Sequence, residues 1–327
     1  MRRREFITLL GGAAAWPLAA RAQQPVTPTI GFLSASREDF VSQQFLPPFR
    51  QGLRQLGFLE GQNVAIEYRW ANGEYERLPA LVADLVGRRV AVITTTAGTA
   101  SALAAKAATK TIPIVFNIGT DPVKDGLVES FNRPGGNVTG VSYLSAELEP
   151  KRLQILHELI PHAGVIAVLT NPTLHDTAAV VKDLEAAAGV IGQELVVLKA
   201  SSQADFDAAF ANMTEKRIGA LLVAADPFLT ANRDQLVLLT TRHAMPTMFP
   251  WREYVGIGGL MSYGTSLTDA YRLVGLYTGQ VLKGANPADL PIQQSVKVEL
   301  VLNLKAAKVL RLTFPLSLLA RADEVFE

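Results

Sequence analysis

The chain has 327 residues, 49% of them hydrophobic, 19% charged and 7% aromatic, which fits a folded globular protein, at about 100 to 200 residues per domain one of two domains, and excludes a disordered or collagen-like chain. Thirty-one basic residues against 30 acidic ones leave no basic excess to draw nucleic acid or an anionic membrane surface. The absence of cysteine excludes disulfides, thiolate zinc sites, cysteine nucleophiles and a lipidated cysteine anchor, and four scattered histidines (His157, His162, His175, His243) without a His-x-x-x-His pair argue against a zinc enzyme.

In chain order, residues 1–22 come first: a basic start (Arg2, Arg3, Arg4), an apolar stretch from Phe6 to Leu18 and a small-x-small end at Ala20-Arg21-Ala22. That is the pattern of a secretory signal, and Arg3-Arg4-Glu5-Phe6-Ile7 with a weakly apolar, glycine-containing core suits the twin-arginine route. A membrane anchor needs about 20 apolar residues, more than this stretch supplies. Cleavage after Ala22 would remove four arginines and Glu5, leaving 27 basic and 29 acidic residues, a net charge of −2. Without a later run of about 18 apolar residues, the mature chain is expected in the periplasm, with no membrane insertion.

Next, the apolar run Thr29–Leu33 meets the small polar loop Ser34-Ala35-Ser36, followed by a helical pattern through Phe45, Phe49, Leu53 and Leu56 that stops at Gly57. A strand over Val64–Tyr68, a helix over Arg77–Val86 and a buried strand over Val90–Thr94 follow. Then come the loop Thr95–Thr99, an alanine-rich helix to Thr109 and a strand over Ile112–Phe116, and Arg133–Asn137 reads as a tight loop. The second half retraces this plan. It runs strand Val165–Leu169, loop Thr170-Asn171-Pro172, helix Ala178–Ile191, strand Glu194–Leu198, helix Phe206–Lys216 and strand Ala220–Val223. The loop Ala224–Pro227 precedes a helix to His243 and a strand over Met245–Phe249. The fold class expected is therefore α/β, with two doubly wound, Rossmann-like lobes.

Ligands on open α/β sheets lie beyond the carboxyl ends of the strands, so two facing lobes make a cleft. The loops at Ser34–Ser36, Thr95–Thr99, Gly119–Pro122, Asn171–Thr173 and Asp226–Phe228 would line it. Several lead into helices, whose first N–H groups and dipole favour an anion such as a carboxylate. Asp121 or Asp226 could pair with an ammonium. Ser, Thr, Asp and Asn before a helix are caps in the first instance, but capping alone does not place all of them at one end of two sheets. Ser34, Ser36, Thr96, Gly98, Thr99, Thr120, Asp121, Asn171, Asp226 and Phe228 are accordingly the candidates in these loops, and Tyr263, with Trp70, Tyr75, Trp251 and Tyr254, is a candidate aromatic wall whose competing role is core packing. No Gly-x-Ser-x-Gly elbow, phosphate loop or strand-linked Gly-x-Gly-x-x-Gly occurs. No catalytic residue, metal or cofactor is expected.

Several runs resemble the exported substrate-binding proteins of ATP-driven importers, specifically the family that includes tryptophan- and tyrosine-binding components. They are Gly52–Gly57 with Glu60–Val64, Thr111–Phe116, Asp121-Pro122-Val123, Arg133–Val141, Gly258–Gly264 and Leu318–Val325, and the resemblance covers residues 28–327. It implies the type I periplasmic-binding-protein fold, with the chain crossing between lobes near Val141–Leu144, Met261–Thr265 and Gln293–Leu300. Lobe one would be residues 28–142 plus 266–292, and lobe two residues 143–264 plus 293–327. The resemblance further implies that Thr96, Gly98 and Thr99 hold a carboxylate and that Asp226, with Asn171, holds an amino group, although Asp226-Pro227-Phe228 departs from the more polar run typical of tryptophan binders. A monomer delivering a small organic ligand to an ABC permease, and through it an ATPase, is the expected role. A periplasmic sensing receptor and an α/β enzyme are the alternatives.

Overall fold

The computed structural model describes residues 27–174, 176–295 and 297–327, so the expected signal at residues 1–22 lies outside the described residues. The first half builds β1 (Thr29–Ser34), α1 (Glu38–Gln44), α2 (Leu46–Gln55), β2 (Ala65–Trp70), α3 (Leu78–Gly87), β3 (Val92–Thr96), α4 (Thr99–Ala108), β4 (Ile114–Ile118) and β5 (Val138–Ser142). β3 and β4 are buried along their whole length, as apolar strands covered by helices on both faces must be. The expected single helix ending at Gly57 is instead α1 and α2, parted at Phe45, because Pro47 and Pro48 start a new helix where their missing N–H groups cost nothing.

The second half builds α5 (Glu149–Leu159), β6 (Val165–Thr170), α6 (Thr177–Ile191), β7 (Glu194–Lys199), α7 (Ala204–Glu215), β8 (Ala220–Val223), α8 (Pro227–Ala231), α9 (Arg233–Arg242) and β9 (Thr247–Phe249). There follow α10 (Arg252–Val255), β10 (Met261–Thr265), α11 (Leu267–Leu282), β11 (Gln293–Gln294), β12 (Val298–Asn303), α12 (Leu304–Val309), α13 (Leu316–Leu319) and β13 (Glu324–Phe326).

Two sheets result, ordered β2-β1-β3-β4-β5-β11 and β7-β6-β8-β9-β10-β12-β13. All pairs are parallel except β10 with β12. In each sheet the first strand lies between the second and third, with Ser34 level with Thr96 in one and Leu169 level with Val223 in the other. The strand order reverses direction at that point, and in a doubly wound sheet this is where the loops part to leave a crevice.

The chain passes between the sheets three times, after β5, after β10 and after β11. The passages are tied together: Thr265 Oγ1 donates to the Tyr143 carbonyl (2.9 Å), the Ser266 N–H to the Lys297 carbonyl (3.0 Å) and the Ser295 N–H to the Ser142 carbonyl (3.0 Å). After the second passage α11 packs along α2 at a backbone separation only glycine permits. A Cβ on Gly52 would lie 2.0 Å from the Arg272 carbonyl oxygen, and one on Gly275 2.0 Å from that of Phe49.

Candidate functional site

The carboxyl ends of the two sheets face each other across a cavity. From the first sheet come Ser36 after β1, Gly98 and Thr99 after β3, and Gly119 and Thr120 after β4. From the second come Leu174, Asp176 and Val180 after β6, and Ala225, Asp226 and Pro227 after β8. Glu149 enters from the start of α5. Aromatic rings close the sides: Phe45 stacks on Tyr271 at 4.6 Å, and Tyr143 meets Trp251 edge-on at 5.7 Å.

The lobes touch at the rim. Gly98 has φ of 104°, a conformation that L side chains rarely adopt, and a Cβ there would come within 3.1 Å of Pro227 Cγ. Gly73 similarly faces Phe228 Cδ2, at 3.8 Å from where its Cβ would stand.

The first-sheet side is a hydroxyl and N–H surface. Gly98 is the N-cap of α4, whose first N–H groups have no intrahelical acceptor. Ser36 is 2% exposed, and its hydroxyl has no hydrogen-bond partner among the described residues. Thr99 Oγ1 and Thr120 Oγ1 are 2.6 Å apart, and Thr120 donates to Asp125.

The opposite side is acidic. Asp226, 3% exposed, caps α8 by accepting the Leu229 N–H at Oδ1 (2.7 Å), while Oδ2 accepts Asn171 Nδ2 (3.2 Å). Burial pushes its pKa up to about 6, against the opposing pull of these hydrogen bonds. Glu149, 1% exposed, accepts the Ala225 N–H at Oε1 (2.8 Å) and pairs there with Arg152 Nη1 (2.7 Å). Burial raises this carboxyl above its ordinary value, and the guanidinium opposes the rise. Arg152, fully buried, donates Nε to the Tyr263 carbonyl (2.7 Å) and Nη1 to that of Ser145 (3.3 Å), with its guanidinium 5.6 Å from the Trp251 ring centre.

Of the residues singled out from sequence, Ser36, Gly98, Thr99, Thr120 and Asp226 line one cavity. Asn171 stands behind Asp226, and Thr96 ends β3 with its hydroxyl buried and without a hydrogen-bond partner among the described residues. Four others, like Asn171 and Thr96, do not line the cavity. Ser34 is fully buried in β1, where its hydroxyl oxygen accepts the Ser36 N–H (3.2 Å). Asp121 caps a turn, accepting the N–H groups of Val123 (2.8 Å) and Lys124 (3.2 Å). Phe228 stacks on Phe206 at 5.7 Å and meets Gly73 at the rim. Tyr263 packs its ring against the second-sheet core and offers the site only its carbonyl. Trp251 does line the cavity, whereas Trp70 stacks on Tyr68 and Tyr254 on Phe249.

Sequence reasoning missed Glu149, Asp176, Phe45, Tyr143 and Tyr271. Glu149 and Arg152 have the i,i+3 spacing common to surface pairs, and Phe45 falls in the apolar pattern of the first expected helix. No local pattern marks Glu149, Tyr143 and Tyr271, since passages between lobes bring them to the cavity, whereas Phe45 and Asp176 lie in the connections next to β1 and β6.

Two Rossmann-like lobes, a threefold connection and a cleft at paired switch points define a type I periplasmic-type binding protein. Residues 44–326 match the family described as ABC transporter substrate binding protein, and the chain belongs to it. The tyrosine-binding protein of Clostridioides difficile (strain R20291) is 28% identical over 263 residues, 80% of this chain and 75% of that protein. The crystal structure of a conserved domain protein from Vibrio cholerae superimposes with a TM-score of 0.81 at 28% identity, covering 91% of this chain and 99% of that one. An ABC domain from Streptococcus pneumonia in complex with L-Trp gives 0.81 at 25% identity, covering 92% and 100%. Among the described residues no helix is long and apolar enough to cross a membrane.

Proposed function

We propose that this protein captures an amino acid with an aromatic or large apolar side chain and hands it unaltered to an ABC permease. The observation that carries this is the polarity of one cavity: hydroxyl and N–H donors at Ser36, Gly98 and Thr99 on one lobe, carboxylates at Glu149, Asp176 and Asp226 on the other, and aromatic rings between. A zwitterion with an apolar side chain matches all three surfaces. The tyrosine-binding relative and the L-Trp complex support the same ligand class.

In this proposal the carboxylate meets the first N–H groups of α4 and the Ser36 hydroxyl, with Thr96 and Thr120 behind them. The ring lies among Phe45, Tyr143, Trp251 and Tyr271, and the ammonium faces the acidic wall. The ligand contacts both lobes only when they are closed, so it shifts the hinge by its preference for that state. The lobes divide as expected from sequence, residues 28–142 plus 266–292 and residues 143–264 plus 293–327, except that Gln293 and Gln294 go with the first lobe, because they pair with Val141 and Ser142 of the first sheet. Residues 1–22 act as a twin-arginine export signal, and the mature chain works as a periplasmic monomer without catalysis.

The test is thermal shift and calorimetry of the purified mature chain against L-Trp, L-Tyr and L-Phe. One-site binding with a rise in melting temperature is expected, since ligand at 100 times Kd adds about 2.7 kcal/mol of stability. Absence of a shift with every amino acid, or recovery of a chemically altered ligand, overturns the proposal.

A further inference from the structure

The acidic wall carries three carboxylates, and two of them differ sharply in what they have left to offer. Asp226 engages both oxygens within the fold, Oδ1 with the Leu229 N–H and Oδ2 with Asn171 Nδ2. Glu149 concentrates its contacts on Oε1, which takes both the Ala225 N–H and Arg152 Nη1, while Oε2 is buried without a hydrogen-bond partner among the described residues. Glu149 also lines the cavity. A buried carboxylate oxygen without a donor is costly, and a donor arriving from the cavity removes that cost.

From this geometry we infer that Glu149 Oε2 is the acceptor that reads the ligand's ammonium group, and that Asp226 shapes the wall as a helix cap, an assignment that rests on the amino-acid reading above. The lining contains Glu149, Asp176 and Asp226 and no lysine or arginine among the described residues, so the donor that belongs there is a cation. An ammonium brings three N–H donors as well as its charge. Arg152 acts as a positioning residue. It holds Oε1 and leaves Oε2 without a donor, and is itself pinned by the Tyr263 carbonyl, on the strand leading to the second passage, and the Ser145 carbonyl, in the first. The acceptor is thus anchored to two of the three connections between lobes. A ligand that satisfies it does so at the hinge.

The experiment compares L-Trp with indole-3-propionate, which keeps the ring and carboxylate and lacks the amine. Dissociation constants are measured for the wild-type mature chain, E149Q, D226N and the double variant E149Q/R152M, which leaves no guanidinium buried without its partner. Wild type is expected to prefer L-Trp at least 100-fold. In both Glu149 variants that ratio should fall below tenfold through weaker L-Trp binding, with indole-3-propionate changed less than threefold. D226N should lower the ratio far less than either Glu149 variant, whatever it does to absolute affinity. Retention of the ratio in the Glu149 variants, equal weakening of both ligands, or a fall in D226N as large as theirs overturns the assignment. Wild-type protein that binds neither L-Trp, L-Tyr nor L-Phe overturns the amino-acid reading itself, and this assignment with it.

Discussion

Asp226 is a carboxyl taken out of water to cap a helix, and the cost of keeping it ionised has a measurable sign. Its pKa rises from the ordinary carboxylate range to about 6 in the folded chain, mainly through burial. Between those values the folded state holds a proton that the unfolded state has released, so stability falls as pH rises through this window. A two-unit rise corresponds to at most about 3 kcal/mol. The melting temperature of the ligand-free protein should therefore drop between pH 4 and pH 7, and D226N should flatten that part of the profile, an outcome followed by calorimetry. The neighbouring buried pair gives a different prediction. Arg152→Ala leaves Glu149 charged, buried and unpaired, at a cost of about 3 to 5 kcal/mol in a denaturant titration. E149Q/R152M should cost less, because no lone charge remains.

The contact between α2 and α11 shows a helix placed by what is missing from its surface. Phe49 and Arg272 present backbone carbonyls where Gly275 and Gly52 have no side chain. Both helices adjoin the first sheet's core, with Phe49, Leu53, Val274 and Tyr277 in one buried cluster. Gly275→Ala puts a methyl group where a carbonyl already stands, so α11 must move off α2. A loss of about 1 to 3 kcal/mol is expected from overpacking, and more if the shift propagates to the cavity through Tyr271. The urea midpoint reports the first, and a weaker aromatic ligand affinity the second.

Closure is the property of the whole molecule that the proposed function needs, and Gly98 meets Pro227 where the two lobes touch at the rim. Addition of L-Trp should reduce the radius of gyration measured by small-angle scattering, toward a form in which the lobes meet as here. Gly98→Val adds bulk at that contact and strains a positive φ, so it should weaken L-Trp at least tenfold. An unchanged affinity would mean that the rim plays no part in closure.

The strand and helix alternation was legible in the sequence because period-two and period-3.6 apolar patterns are local. β8, at Ala220–Val223, lies where its apolar run put it. The five lining residues expected from loops were legible for a related reason: the carboxyl ends of parallel strands are defined by chain direction alone. Asp121 and Phe228 stand outside the cavity lining because a turn or a helix start can satisfy a polar or aromatic side chain locally, and one sequence motif serves both uses. Glu149, Tyr143 and Tyr271 became site residues only through the passages between sheets. Those join segments more than 100 residues apart, as in the bond from Arg152 to Tyr263, and packing of such distant partners leaves no periodic trace in the chain.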